Sequence, residues 1–354
     1  LQHYSPLHFF VGRRHEERHN ILELQSTLAQ TAPDAIVFWG MWNLSRRLPA
    51  VAERSGVPVA YWLEDLWPIE PDMHTRYWRS PARGRVGRLF MPWAGRWAAR
   101  QLAAEGYPPA LQFRHVACGS QFLKRRLAGE IPAFRDAEVV LCGIDLAKFA
   151  DCRPHERLFG EQAPRILYVG GLGPHKGVHT AVAAVSRLMA LAPDLRPTLT
   201  VAGSGHPDYM ARLRRLAGDD GVAGNVEFLG SVPPHRVPAL LAASDILVVP
   251  SVWEEPFGRV VVEGMAAGIP VVGTATGGSA EILADGVNGL VFPTENADAL
   301  AGCLLRLIRQ PALYARLARE GKGASEQFDL RRMVEGMERF LIEVADSGRQ
   351  GATA

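Results

Sequence analysis

Cysteine is scarce and scattered. The four thiols, Cys118, Cys142, Cys152 and Cys303, include no C-x-x-C pair and have no histidine at zinc-site spacing, so neither a disulfide scaffold nor a structural zinc site is expected. No D-x-D triplet occurs anywhere, which leaves a carboxylate-bridged metal without candidate ligands. No run approaches the roughly 18 to 20 uncharged apolar residues of a membrane span, and no signal-peptide pattern heads the chain; a reducing, cytoplasmic setting is expected. Excess charge is missing too. Lys plus Arg number 39 against 37 Asp plus Glu, and this net charge of +2 predicts no general attraction to nucleic acid and confines any basic surface to a local patch. The chain opens on Leu1, not Met, which reads as a fragment or a trimmed product.

What is present is core material for more than one domain. At 354 residues the chain exceeds the usual limit of a single core, and its 47% hydrophobic content supports two. Short β-branched runs alternate with helical patterns, the mark of βα units and parallel sheets. In the first half the expected strands are 35–38, 57–63, 115–117 and 138–141. In the second they are 165–169, 198–202, 226–229, 246–249, 270–273 and 289–292. The fold class is therefore α/β. Residues 151–164 are polar, aperiodic and closed by Pro164, which reads as a linker between a domain at 1–150 and another at 165–327. After Phe328, apolar residues from Leu330 to Val344 recur at helical spacing and predict a final amphipathic helix over 328–346.

The candidate chemistry lies in the second half. The segment from Ser251 to Val272 follows a strand, passes through Pro256 and Gly258, and becomes helical. In an open α/β sheet ligands bind beyond the carboxyl ends of strands, where a helix N-terminus offers free N–H groups and a positive dipole to phosphate. Glu255 stands just before this helix and Glu263 is placed two turns inside it, which at helical rise separates their backbones by roughly 12 Å, the length of a nucleotide-sugar. One carboxylate would accept sugar hydroxyls and the other the ribose hydroxyls, with the pyrophosphate between. Two glutamates at this spacing are more often solvated surface residues; here Glu263 sits in an apolar run, Val260–Val262 and Met265–Ala267, where a carboxylate needs a partner. The second element is the turn Gly170–Gly177, whose glycines permit close backbone approach and whose Lys176 supplies a cation. Taken alone it is equally a bland left-handed turn or a dinucleotide loop, although Lys176 occupies the place of the last glycine in G-x-G-x-x-G.

Together with Val201–Gly205, Val226–Gly230, Ser244-Asp245 ahead of Pro250-Ser251, the E-x7-E pair and Gly277-Gly278 before Glu281, these residues make the chain resemble glycosyltransferase family 4. Gly143-Ile-Asp145 with Phe149 matches the same family's passage at the end of the first domain. The resemblance implies the GT-B fold of two facing Rossmann-like domains, a retaining, metal-independent transfer from a nucleotide diphosphate sugar to a hydroxyl acceptor, and no cofactor. It places Glu255 and the backbone of Phe257 and Gly258 on the donor sugar, Glu263 on the ribose, Lys176 on the diphosphate, Gly171, Gly173 and Gly203 in the glycine turns beside it, and the base near Gly230 to Val232. It also implies that the first domain lacks its opening βα elements and that the final helix crosses back to that domain. The chain departs from the pattern at two places. Gly171 stands where relatives carry an arginine, a cationic role that Arg259 could take. Glu64, before Asp65, stands where they carry the sugar-proximal histidine; Glu64 and Asp65 are accordingly catalytic candidates, or else the protein is a silent nucleotide-sugar-binding partner. The expected acceptor is a glycan or lipid-linked molecule. His175, His179, His206 and His235 read as loop and surface residues.

Residues 73–104 hold seven arginines and no acidic residue, interleaved with Trp78, Trp93 and Trp97. Two readings stand equal: a basic, aromatic patch for an anionic membrane surface, or a helix pair with its tryptophans packed inward.

Overall fold

The computed structural model describes residues 5, 7–41, 44–79, 84–152 and 163–352, with backbone alone at 79, 84–89 and 350–352. Contacts divide the chain into one unit of Leu1–Val140 with Gly336–Ala354 and a second of Leu141–Glu335. The division thus follows Val140, where a boundary at 150 was expected, and most of the expected linker (153–162) lies outside the described residues.

The first unit carries a parallel sheet in the order β1 (Ile36–Trp39), β2 (Val59–Leu63), β3 (His115–Cys118), β4 (Glu138–Val139). Around it lie α1 (Arg13–Thr31), α2 (Arg47–Ala52), α3 (Met73–Arg79), α4 (Gly84–Ala104) and α5 (Gln121–Ala128). Every residue of β2 is buried, as a parallel strand covered on both faces must be, whereas β1 alternates and leaves Val37 and Trp39 exposed. Strand β2 starts two residues later than expected, after Pro58, which has no N–H to donate to a ladder.

The second unit contains β5 (Arg165–Val169), β6 (Thr198–Ala202), β7 (Val226–Gly230), β8 (Ile246–Val249), β9 (Val271–Gly273) and β10 (Leu290–Val291). Its helices are α6 (Val178–Leu191), α7 (Pro207–Asp219), α8 (Val237–Ala242), α9 (Arg259–Ala266), α10 (Ala297–Arg309) and α11 (Pro311–Ser325), followed by α12 (Leu330–Ala352), which runs on into the first unit from Gly336. All pairings are parallel and the order is β10-β9-β8-β5-β6-β7, so the chain reverses direction across the sheet between β5 and β8. That reversal opens a crevice at the carboxyl ends of those two strands.

The same two strands are clamped at their opposite ends. Asp245 is fully buried, and its carboxylate accepts from the Arg165 backbone N–H at 2.8 Å and from the guanidinium at 2.9 Å, while Tyr314 donates its hydroxyl to the Asp245 carbonyl at 2.8 Å. A buried carboxylate is tolerated because its lone pairs are filled in this way. Ile166, Val182, Val201, Ile246 and Leu304 close the core around the clamp. The register of β5 against β8, and with it the alignment of the two loops that follow them, is set here.

Candidate donor site

Two loops meet in the crevice. After β5 the chain turns through Gly170–Gly177 into α6, and after β8 it runs through Pro250–Gly258 into α9. A cleft of about 210 Å³ lies between them, lined by Gly170, Gly171, Lys176, Ser251, Glu255 and Arg259 among others. Lys176 Nζ stands 2.6 Å from Glu255 Oε1, and Ser251 donates its hydroxyl to the same oxygen at 2.6 Å. The ammonium also lies 5.7 Å from the Trp253 ring centre. Tyr168 closes the floor by donating its hydroxyl to the Gly171 carbonyl at 2.7 Å; burial, and then the nearby Glu255 charge, push its pKa up and keep it a donor.

The loop carrying Glu255 is held from the far side. Gly278 donates its N–H to the Glu255 carbonyl at 2.6 Å, Thr274 its hydroxyl to the Ser251 carbonyl at 2.6 Å, and Thr276 its hydroxyl to the Trp253 carbonyl at 2.8 Å. Preorganised this way, the carboxylate pays little ordering entropy when it takes up a ligand.

Of the expected residues, Lys176, Glu255, Gly258, Arg259 and Gly171 line the cleft; Glu263, Gly173, Gly203, Phe257 and Val232 do not. Glu263 requires a correction of position. Helix α9 begins at Arg259 because Gly258, at φ +98°, takes a left-handed conformation and caps it, so Glu263 is one turn inside and not two. Residues 255 to 258 are non-helical, and the helical-rise separation of about 12 Å therefore does not apply. Glu263 is half-buried with no side-chain hydrogen bond among the described residues. Burial raises its pKa against the opposing pull of Arg259 and Lys148, so the carboxylate is held in waiting without the partner expected of it.

The glycines divide by function. Gly171 has open space where a side chain would begin, whereas a Cβ on Gly203 would stand 1.8 Å from the Gly170 carbonyl at φ +153°. Gly203 is thus a packing residue beneath the glycine turn, a role the sequence reading assigned to ligand contact. Gly203→Ala is expected to lower stability by about 2 to 4 kcal/mol, because the added Cβ overlaps a backbone carbonyl at a φ that L side chains rarely adopt. Denaturant unfolding measures this, and a loss under about 0.5 kcal/mol, the scatter of an ordinary surface substitution, would contradict the packing role.

Phe257 is buried against Phe328, with ring centres 5.5 Å apart, so only its backbone can serve a ligand. Val232 is half-buried in the loop after β7. His206 caps α7, accepting from Asp208 N–H at 3.3 Å, and His179 bonds Tyr209 at 3.0 Å, so these two histidines have structural work. His175 is exposed, its ring centre 5.9 Å from that of Trp253, and partial desolvation together with Lys176 lowers its pKa. Ser251 and Tyr168 were not expected. Ser251 had a visible signal, since it stands four residues before Glu255 in the same loop.

In the first unit, Glu64 and Asp65 follow β2. Glu64 accepts from Trp39 Nε1 at 2.9 Å, and Asp65 accepts from the Trp67 N–H at 3.0 Å, which makes Asp65 a turn-former in this state.

A doubly wound parallel domain with its polar cleft at the switch point, following a first parallel α/β unit, has the α/β architecture of the GT-B class. Solved structures agree: a glycosyltransferase from Rickettsia africae superposes with a TM-score of 0.68 at 19% identity, covering 92% of this chain and 80% of that one. Anabaena HepE in complex with UDP and glucose gives 0.65 at 23% identity, covering 89% and 80%. Residues 154–324, just under half of the chain, match the family described as glycosyl transferases group 1. Among curated relatives, a D-inositol 3-phosphate glycosyltransferase of Nocardioides sp. is 35% identical over 208 residues, 54% of this chain and 44% of its own length. A phosphatidyl-myo-inositol mannosyltransferase of Mycolicibacterium smegmatis is 33% identical over 181 residues, 51% and 45%. The chain thus matches less than half the length of these two relatives.

Proposed function

We propose that the protein transfers a sugar from a nucleotide diphosphate sugar to a hydroxyl acceptor, with retention at the anomeric carbon and without a metal. The observation that carries this reading is the Lys176–Glu255 pair with Ser251, at the switch-point crevice and ahead of the α9 N-terminus. A diphosphate entering there meets a lysine ammonium, the exposed Arg259 and the free N–H groups of a helix. Arg259 takes the cationic role that Gly171 leaves open. Glu255 accepts hydroxyls of the sugar and Glu263 those of the ribose. The acceptor hydroxyl attacks from the face the diphosphate leaves, and Lys176 stabilises the charge developing on the departing oxygen. The names of the relatives, which include inositol 3-phosphate and phosphatidyl-myo-inositol, support a polyhydroxylated or lipid-linked acceptor. No cofactor enters this chemistry.

The test is a panel of nucleoside diphosphates in thermal unfolding, followed by incubation with the sugar nucleotide of the best stabiliser. A ligand at a hundred times its Kd adds about 2.7 kcal/mol to the native state, so the right base stands out clearly. Slow release of free diphosphate is the expected result. Tight binding with no release over days would make the protein a silent nucleotide-sugar binder instead.

A further inference from the structure

A second cavity, of about 390 Å³, is built wholly by residues of the first unit. It lies at the amino ends of β2 and β3, opposite the end of β2 that carries Glu64 and Asp65, so it stands apart from the residues given to sugar transfer. Three segments form it: the turn between α2 and β2, the approach to β3 at 112–115, and Ser347 with Gly348 on α12. Gly348 lets the helix close on Pro58, where an added Cβ would stand 2.3 Å from the proline Cγ, and both residues line the cavity.

The polar groups of this cavity are of complementary kinds. Arg114 is exposed, and its guanidinium makes no hydrogen bond or ion pair among the described residues. Asp346, the residue before Ser347, is already held by Arg349 at 3.2 Å, as is Asp34 at 3.0 Å. Glu53 Oε1 accepts from the Tyr61 hydroxyl at 2.8 Å and the Phe113 N–H at 3.1 Å, while the Gln112 N–H is shared between its two oxygens at 2.9 and 3.0 Å. Oε2 therefore keeps a lone pair for a ligand hydroxyl. Burial, and then the Arg114 charge, lower the His115 pKa, so the ring is neutral at neutral pH and can donate at one nitrogen and accept at the other. Its Nε2 stands 3.5 Å from the Ser347 Oγ, whose own hydrogen goes to the Val344 carbonyl at 2.7 Å. An exposed arginine alone says little about binding. An arginine without a partner, sharing a cavity with a carboxylate, an imidazole and a hydroxyl that all have capacity left, has the convergent polar groups of a small-molecule site.

We propose that this cavity binds a small hydroxylated phosphate ester, with Arg114 on the phosphate and Glu53, His115 and Ser347 on its hydroxyls. A guanidinium fork matches phosphate oxygens in pairs, and a phosphate has a further oxygen for the His115 N–H. The volume lies within the range of small-molecule pockets, roughly 300 to 1,000 Å³. Occupation links α12 to the starts of β2 and β3, so the ligand stabilises the folded chain. This inference stands independently of the donor reading, because it concerns the first unit alone and is tested without any nucleotide.

The experiment is calorimetric titration of the full chain with glucose 6-phosphate, beside separate titrations with inorganic phosphate and with glucose. Saturable binding of the ester at one site is the expected result, with phosphate weaker and glucose weaker still. Arg114→Ala should weaken the ester by about tenfold or more, and Ser347→Trp, which fills the cavity, should abolish its binding. Both positions are exposed, so the circular dichroism spectrum should not change in either variant. Lys176→Ala should leave the affinity as it was. Loss of binding in Lys176→Ala, with Arg114→Ala and Ser347→Trp unaffected, would put the ester in the donor cleft and overturn the proposal. Absence of binding with the ester at millimolar concentration overturns it as well, and so does equal affinity for inorganic phosphate, which would leave the hydroxyls without a role.

Discussion

Glu255→Gln is expected to abolish sugar transfer and, at the same time, to tighten the grip on free nucleoside diphosphate. In the empty site Lys176 and Ser251 both point at one oxygen of Glu255, at 2.6 Å each. The ammonium that a diphosphate needs is therefore already engaged, and binding must exchange a carboxylate partner for a phosphate one. Both side chains are partly exposed, 26% and 14%, so the pair contributes at the modest end of the range for ion pairs. Removing its negative charge frees the lysine and should strengthen diphosphate binding by about three- to tenfold. Turnover should fall about a hundredfold or more, since a neutral amide accepts sugar hydroxyls less well and no longer compensates the charge that develops at the reacting carbon. Calorimetric titration with the diphosphate, beside a transfer assay, reads both quantities. Unchanged or weaker diphosphate affinity would show that Lys176 does not change partners.

Glu263→Gln separates stability from binding. Burial raises the Glu263 pKa above its ordinary 4.5, which means the folded chain holds the carboxylate in its charged form less readily than the unfolded chain does. The stability this proton provides is complete below about pH 4.5 and is lost as pH rises through the raised folded value. Glutamine removes the titration. The empty variant should therefore melt higher than the parent at neutral pH, and the difference should shrink towards zero in mild acid. Donor binding should move the opposite way, weakening about tenfold, because the ribose loses a charged acceptor. Thermal unfolding across pH, without and with the donor, measures both. A variant that melts lower than the parent at neutral pH would remove Glu263 from the role of a waiting, poorly solvated carboxylate.

Much of the architecture was readable along the chain. Buried parallel strands announce themselves as β-branched runs, and the second-unit strands lie within a residue or two of where periodicity put them, because such signals depend only on neighbours in sequence. The turn at Gly170–Gly177 and the Pro256–Gly258 break before α9 were legible for the same local reason. Glu263 was misplaced by a turn because helical rise applies only from Arg259 onward, while the stretch from Glu255 to Gly258 is non-helical. Gly203's packing against the Gly170 carbonyl was not legible, because a glycine that admits a ligand and a glycine that admits another carbonyl have the same letter.

The sequence by itself determined the α/β class, the order of strands and helices, the positions of the polar loops and the carboxylates and lysine they carry. Only the tertiary structure decided that Lys176 and Glu255, 79 residues apart, share a proton-donating contact, that Ser251 joins them, that Glu263 stands half-buried with no side-chain hydrogen bond among the described residues, and that Trp78 turns inward while Trp93 and Trp97 face out. The reason is that local periodicity fixes which face of an element is apolar, whereas a site at a switch point depends on which strand ends the crossovers bring together, and that is a property of the whole sheet.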